Sequence, residues 1–242
     1  MIRAIIFDLD GTLIQTEVLK ARSYARAIHK LSGQSVTEDE VLKSYKLFVG
    51  LSRAEVVDGL SDKFRHELKT SLNIDDAELL RQSILSERLR IYHDMISNPR
   101  ILSAFICPYN LELLHSLHGR NYLIALATMS YAGEADKVLN VLDIKEKLSL
   151  IMTRDKVSSG KPDPEIYLKT MDRLRLGRAE CLVIEDSVNG IKAGLNAGVK
   201  VFAVTNDFTR ESVHAAHILP DEYIVDDLST LKETVSKFLS LQ

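Results

Sequence analysis

The 242-residue chain is poor in cysteine, with only Cys107 and Cys181. Two isolated thiols suggest neither a zinc site nor a disulfide framework, so both read as small core residues in a reducing compartment. Long apolar runs are missing as well. None approaches the roughly 20 residues that span a bilayer, and the first apolar stretch begins within five residues of Met1, leaving no room for a signal peptide. Charge of one sign is not in excess either. Lys and Arg number 31 against 34 Asp and Glu, a net charge of -3 with a pI near 6.2, which argues against a general affinity for nucleic acid or anionic membrane. The expectation is a cytoplasmic protein with no nucleic-acid partner, no membrane partner and no obligate protein partner.

What is present is ordinary globular material, 45% hydrophobic and 27% charged. The apolar run Ala4-Ile5-Ile6-Phe7 reads as a buried strand, and Asp8-Leu9-Asp10-Gly11-Thr12 follows it. Residues two apart on an extended segment share a face, so Asp8 and Asp10 both project into the crevice at the carboxyl end of that strand. From Leu19 to about residue 95 the spacing is helical, including Val36 to Tyr45, Ala54 to Leu72 and Asp76 to Ile96. Beyond Pro99 helices alternate with apolar strands at 122–127, 148–152, 181–184 and 199–204, with an edge strand at 223–225. The expected architecture is α/β: a Rossmann-like parallel core made of residues 1–15 and 96–242, with an all-helical cap inserted at 16–95.

Each core strand is followed by polar groups. Thr128 ends the second strand. Lys161 sits in Gly160-Lys161-Pro162-Asp163-Pro164, a stiff loop in which Pro162 disfavours helix at Lys161 and Asp163 can cap the next helix. Glu185 and Asp186 follow the fourth strand and are expensive there unless paired with a cation. Gly190 and Gly194, in the helix after them, suggest close packing of that helix against the sheet. Asp8, Asp10, Glu185 and Asp186 together form a hard oxygen donor set that suits Mg²⁺.

In this order the four motifs resemble those of the haloacid dehalogenase-like hydrolases, in the branch of β-phosphoglucomutase and related phosphatases. The resemblance implies a Mg²⁺-dependent phosphatase acting on a small phosphorylated metabolite such as a sugar phosphate. Asp8 is then the nucleophile and Asp10 the general acid and base, with Asp10 also lending its backbone carbonyl to the metal. Thr128 and Lys161 hold the phosphoryl group, and Glu185 reaches the metal through water. In the cap, Val49-Gly50-Leu51-Ser52-Arg53 resembles the branch's specificity loop, so Gly50, Ser52 and Arg53, with Met129 and Ser130 in the core, are the expected substrate-binding residues. Gln15 and Lys20 depart from the branch pattern, as do Val49 and Tyr131-Ala132, where cationic or amide residues are usual. Those departures favour hydrolysis over the alternative, a phosphomutase.

Overall fold

The computed structural model describes residues 1–48 and 51–241. The elements run β1 (Ala4–Phe7), α1 (Thr16–Leu31), α2 (Glu38–Tyr45), α3 (Arg53–Lys63), α4 (Arg65–Leu72), α5 (Ala77–Ile96), α6 (Pro99–Ser103) and α7 (Pro108–Gly119). They continue with β2 (Leu123–Ala127), α8 (Ala132–Leu142), β3 (Leu150–Met152), α9 (Glu165–Leu174), β4 (Cys181–Glu185) and α10 (Val188–Asn196). The last are β5 (Lys200–Val204), α11 (Arg210–Ala216), β6 (Ile224–Val225) and α12 (Leu231–Ser240). The chain divides into two compact units, Met1–Gln15 with Leu102–Gln242 and Thr16–Ile101. The second boundary therefore falls at Ile101 rather than at residue 95, because α5 runs to Ile96 and most of α6 stays with the helices.

The first unit carries a six-stranded sheet in the order β3-β2-β1-β4-β5-β6. Every pairing is parallel. Strands that are buried on both faces need continuous apolar runs, and β1 and β4 supply them with every residue buried. The chain builds outward from β1 first on one side, through β2 and β3, and then on the other, through β4, β5 and β6. That reversal creates a switch point beside the carboxyl end of β1, where neighbouring connections leave in opposite directions and open a crevice. At the far edge, Phe202, Tyr223 and Phe238 pack edge to face, with ring centroids 5.1 to 6.0 Å apart, and hold α12 to the sheet.

The helical unit is built from α1 to α5 around Tyr24, Ile28, Val41, Tyr45, Leu60, Leu68 and Ile84. Capping boxes start two of its helices, Thr37 with Glu40 at α2 and Ser52 with Glu55 at α3. The single helix expected over Ala54 to Leu72 is two helices. Phe64, at φ -107° and ψ 22°, leaves helical geometry and buries its ring in this core.

Gly194 on α10 lies so close to β5 that a Cβ there would come within 2.6 Å of Val201 Cγ2. Here the expected close packing of helix on sheet is present. Gly194→Val should lower the free energy of unfolding by about 1–3 kcal/mol, the usual cost of overpacking a core. An unchanged urea midpoint would show that α10 can move away from β5 at no cost.

Candidate active site

The sheet register sets the site. Phe7 is level with Leu126 on one side and Ile184 on the other, so the next residues, Asp8, Ala127 and Glu185, stand side by side at the ends of three adjacent strands. Strand neighbours lie about 4.8 Å apart, which forces two carboxylates together. Lys161 answers this. Its Nζ donates to Asp8 Oδ1 at 2.7 Å, Glu185 Oε1 at 2.6 Å and the Ala127 carbonyl at 3.0 Å. An ammonium has three protons, and these three acceptors use them all. Tyr167, from α9, lies under Nζ at 5.1 Å from its ring centroid, and its hydroxyl donates to Glu185 Oε1 at 3.4 Å.

Glu185 is saturated by protein. Beyond Lys161 and Tyr167, its Oε2 accepts from the Asp186 and Ser187 backbone N–H groups, both at 2.8 Å, and from Ser187 Oγ at 3.1 Å. Such a carboxylate is a fixed counter-charge that orients Lys161. Gly190 makes room for it, since a Cβ there would sit 1.7 Å from Glu185 Oε1. The close packing expected at Gly190 is therefore against the sheet at its polar end, where the Glu185 carboxylate leaves the last residue of β4.

Asp10 faces another way. Its Oδ2 accepts from Ser130 Oγ at 2.6 Å and Thr128 Oγ1 at 3.3 Å, and the Ser130 N–H donates to Thr128 Oγ1 at 3.0 Å. Ser130, expected as a substrate ligand, thus has its hydroxyl on Asp10. The Met129 side chain packs over Gly160, where a Cβ would meet its Cε at 2.9 Å, and joins the sheet core. Ser52 and Arg53 belong to the helical unit, where the Ser52 hydroxyl caps α3. Gly50 and Val49 lie outside the described residues.

Among the described residues, Asp8, Glu185 and Asp186 each offer a carboxylate oxygen within 4.8 Å of the others, all buried. Asp10 is not in that group, and its Oδ2 accepts from both hydroxyls. One ammonium set against three acids leaves negative charge uncompensated. Burial, with Glu185 and Asp10 adding to it and Lys161 opposing it, pushes the Asp8 carboxyl up to about 7. Asp8 and Glu185 in turn hold the Lys161 ammonium well above the usual lysine value despite its burial. Hard, buried and over-negative, the cluster fits a small dication bound through oxygen.

Sequence reading missed two contributors. Tyr167 falls on the buried face of α9 with Ile166, Thr170 and Met171, where nothing in the residue spacing sets it apart. Asn206, on the loop after β5, donates from Nδ2 to Asp186 Oδ2 at 3.0 Å and to the Gly11 carbonyl at 3.3 Å. The signal for Asn206 was available, because it closely follows an apolar strand as Asp8, Thr128 and Glu185 follow theirs.

The raised Asp8 pKa makes the metal-free protein depend on pH. The folded state holds a proton to about pH 7 that the unfolded chain, with its ordinary value of 3.8, releases earlier. The contribution of Asp8 to stability is thus complete below pH 4 and is lost as the pH rises through 7. In chelator at pH 8, Asp8→Asn should raise Tm by a few degrees, at roughly 2–4 °C per kcal/mol for a chain of this size, with no gain at pH 4. A variant melting below wild type at pH 8 would remove the electrostatic strain from Asp8.

Comparisons with known proteins agree with this geometry. Residues 5–204 match the family model described as haloacid dehalogenase-like hydrolase. The chain is 30% identical to a phosphorylated carbohydrates phosphatase of Thermotoga maritima, covering 96% of this chain and 99% of that one. A phosphoglycolate phosphatase of Vibrio parahaemolyticus is 26% identical over 97% and 96% of the two chains. Among solved structures, a β-phosphoglucomutase from Clostridium difficile superposes with a TM-score of 0.71 at 26% identity, covering 99% of this chain and 100% of that one. With its acids gathered at the switch point of a parallel sheet and a family match across most of its length, the chain belongs to the haloacid dehalogenase-like hydrolases.

Proposed function

We propose that this protein is a Mg²⁺-dependent phosphatase that hydrolyses a small phosphorylated metabolite, such as a sugar phosphate, through an aspartyl-phosphate intermediate. The observation that carries the reading is the pair of differently placed aspartates. Asp8 is buried against Lys161, while Asp10 is held by two hydroxyls. Two carboxylates kept in different environments can take different roles.

In the first step an Asp8 oxygen attacks phosphorus and the bond from phosphorus to the ester oxygen breaks, with Asp10 donating its proton to the departing oxygen. In the second, Asp10 takes a proton from water as that water attacks phosphorus, which releases inorganic phosphate and restores the Asp8 carboxylate. Lys161 keeps its charge throughout and offsets the repulsion between carboxylate and phosphate. Thr128 and Ser130 fix Asp10 in line for both transfers. Mg²⁺, held by Asp8 and Asp186 with Glu185 behind them, would supply further positive charge for the phosphoryl oxygens.

Recognition of the rest of the substrate we assign to the helical unit. Burial raises the Tyr24 hydroxyl above its usual value, and the nearby cations Arg88, Arg53 and Lys20 oppose that rise. The Arg88 guanidinium is buried between Tyr24 and Tyr92, 4.9 and 4.6 Å from their ring centroids, and its Nε and Nη1 have no hydrogen-bond partner among the described residues. This cationic group favours a substrate with a second anionic or strongly polar portion.

A phosphomutase is the second reading, favoured by the similarity to the β-phosphoglucomutase structure. Against it, Ser130 is already engaged by Asp10 and Tyr131-Ala132 bring no charge to the adjoining loop.

With an aryl phosphate and Mg²⁺, Asp8→Asn should leave no measurable turnover, and Asp10→Asn should lose ~10²–10⁴-fold. Substantial activity in Asp8→Asn would remove it as nucleophile, and full wild-type activity in chelator would remove the metal.

Given β-glucose 1-phosphate with a trace of glucose 1,6-bisphosphate, the enzyme should release phosphate faster than it forms glucose 6-phosphate. The opposite order would make it a mutase.

A further inference from the structure

Asp186 is the acid of the cluster that Lys161 does not touch, and it is held from two sides. Thr12 Oγ1 donates to Oδ1 at 3.4 Å, and Asn206 Nδ2 donates to Oδ2 at 3.0 Å. The same Nδ2 reaches the Gly11 carbonyl at 3.3 Å, so one amide group ties Asp186 to the loop that follows β1. Gly11, at φ 88°, completes the fit, since a Cβ there would lie 2.1 Å from Asp186 Oδ2. Asn206 is itself locked. Its Oδ1 accepts from the Phe208 N–H at 2.9 Å, closing an Asx turn, and its own N–H donates to Thr209 Oγ1 at 3.2 Å.

From this geometry we infer that Asn206 is a positioning residue for the cation: it fixes the Asp186 carboxylate so that one arrangement of its oxygens is presented, and thereby sets the affinity for a divalent ion. The inference rests on the metal-dependent reading given above. A ligating carboxylate free to rotate must be ordered when the ion binds, whereas one held by a neighbouring donor is ordered beforehand. Removing such an outer partner typically weakens metal affinity 10–100-fold. Asn206 takes no part in proton transfer, and its side chain bonds to Asp186, Gly11 and Phe208 rather than to the reacting groups.

The test separates the grip on Asp186 from the integrity of the loop. Asn206→Ser keeps a side-chain oxygen that can accept from the Phe208 N–H, yet is too short to reach Asp186. Thr209→Val removes the acceptor for the Asn206 N–H and loosens the loop without altering Nδ2. Each variant and the wild type is titrated with Mg²⁺ alone, without substrate, and the rise in Tm is followed. The expected result is that Asn206→Ser needs about tenfold more Mg²⁺ for half of the shift, while Thr209→Val follows the wild-type curve even where its metal-free Tm is lower. A wild-type curve for Asn206→Ser, or an equal weakening in Thr209→Val, overturns the assignment and leaves the metal reading standing. No Mg²⁺ response in the wild type overturns both. Should Asn206→Ser fail to fold, Asn206→Ala read by calorimetric Mg²⁺ titration answers the same question with the same outcomes.

Discussion

The Lys161 ammonium, wedged between Asp8 and Glu185, is the constraint on which the rest of the site depends. Parallel pairing of β1 with β4 forces the two acids into adjacent positions, and two carboxylates so close and so buried repel each other unless a cation stands between them. Burying charge is costly, and a buried pair is a weak source of stability against an apolar replacement. The arrangement is better understood as stored electrostatic tension. Asp8 is held where it gains when an electropositive centre arrives, and the surrounding donors are already oriented. Glu185 anchors the lysine through a full set of hydrogen bonds. The α9 helix places Tyr167 beneath it, so the charge is fixed from every side except that of the crevice.

Two glycines show how this tension is accommodated sterically. Gly11 and Gly190 serve less by flexibility than by absence, each leaving the space that a carboxylate, Asp186 or Glu185, fills. In α10 this places a residue of poor helix propensity one turn from the helix start, with Ser187 capping the helix through the Gly190 N–H at 3.1 Å. The helix gives up local stability so that the acid beneath it can stand upright. Gly194, four residues on, answers to a different neighbour, the Val201 side chain on the sheet.

Much of this was legible in the chain. Apolar runs ending in acids, hydroxyls or amides mark strand ends facing the crevice, because a strand covered on both faces can carry polar groups cheaply only where it leaves the sheet. That rule located Asp8, Thr128, Glu185 and Asp186, and applied once more it reaches Asn206. The break at Phe64 was not legible, since its helical spacing continues unbroken and only tertiary burial of the ring ends the helix. Tyr167 was hidden for the converse reason, its apolar ring matching the helix pattern while its hydroxyl serves Glu185. Which carboxylate meets Lys161 and which the hydroxyls was beyond the sequence, because Asp8 and Asp10 share a face at the level of strand periodicity, whereas β1 ends at Phe7 and the chain leaves extended pairing between them.

The place of β1 in the chain has a consequence for how the protein is made. The central strand of the sheet leaves the ribosome before its partners, which begin at residues 123 and 181, and in between comes a helical unit of sequence-local contacts that can fold on its own schedule. Long-range parallel pairing is slow to form, and at ~5–20 residues per second of synthesis β1 waits many seconds for its neighbours. Throughout that interval its apolar residues are available to chaperones. Asp8, Lys161 and Glu185 meet only when β4 is in place, so the nascent chain lacks this buried charge cluster until that strand has emerged.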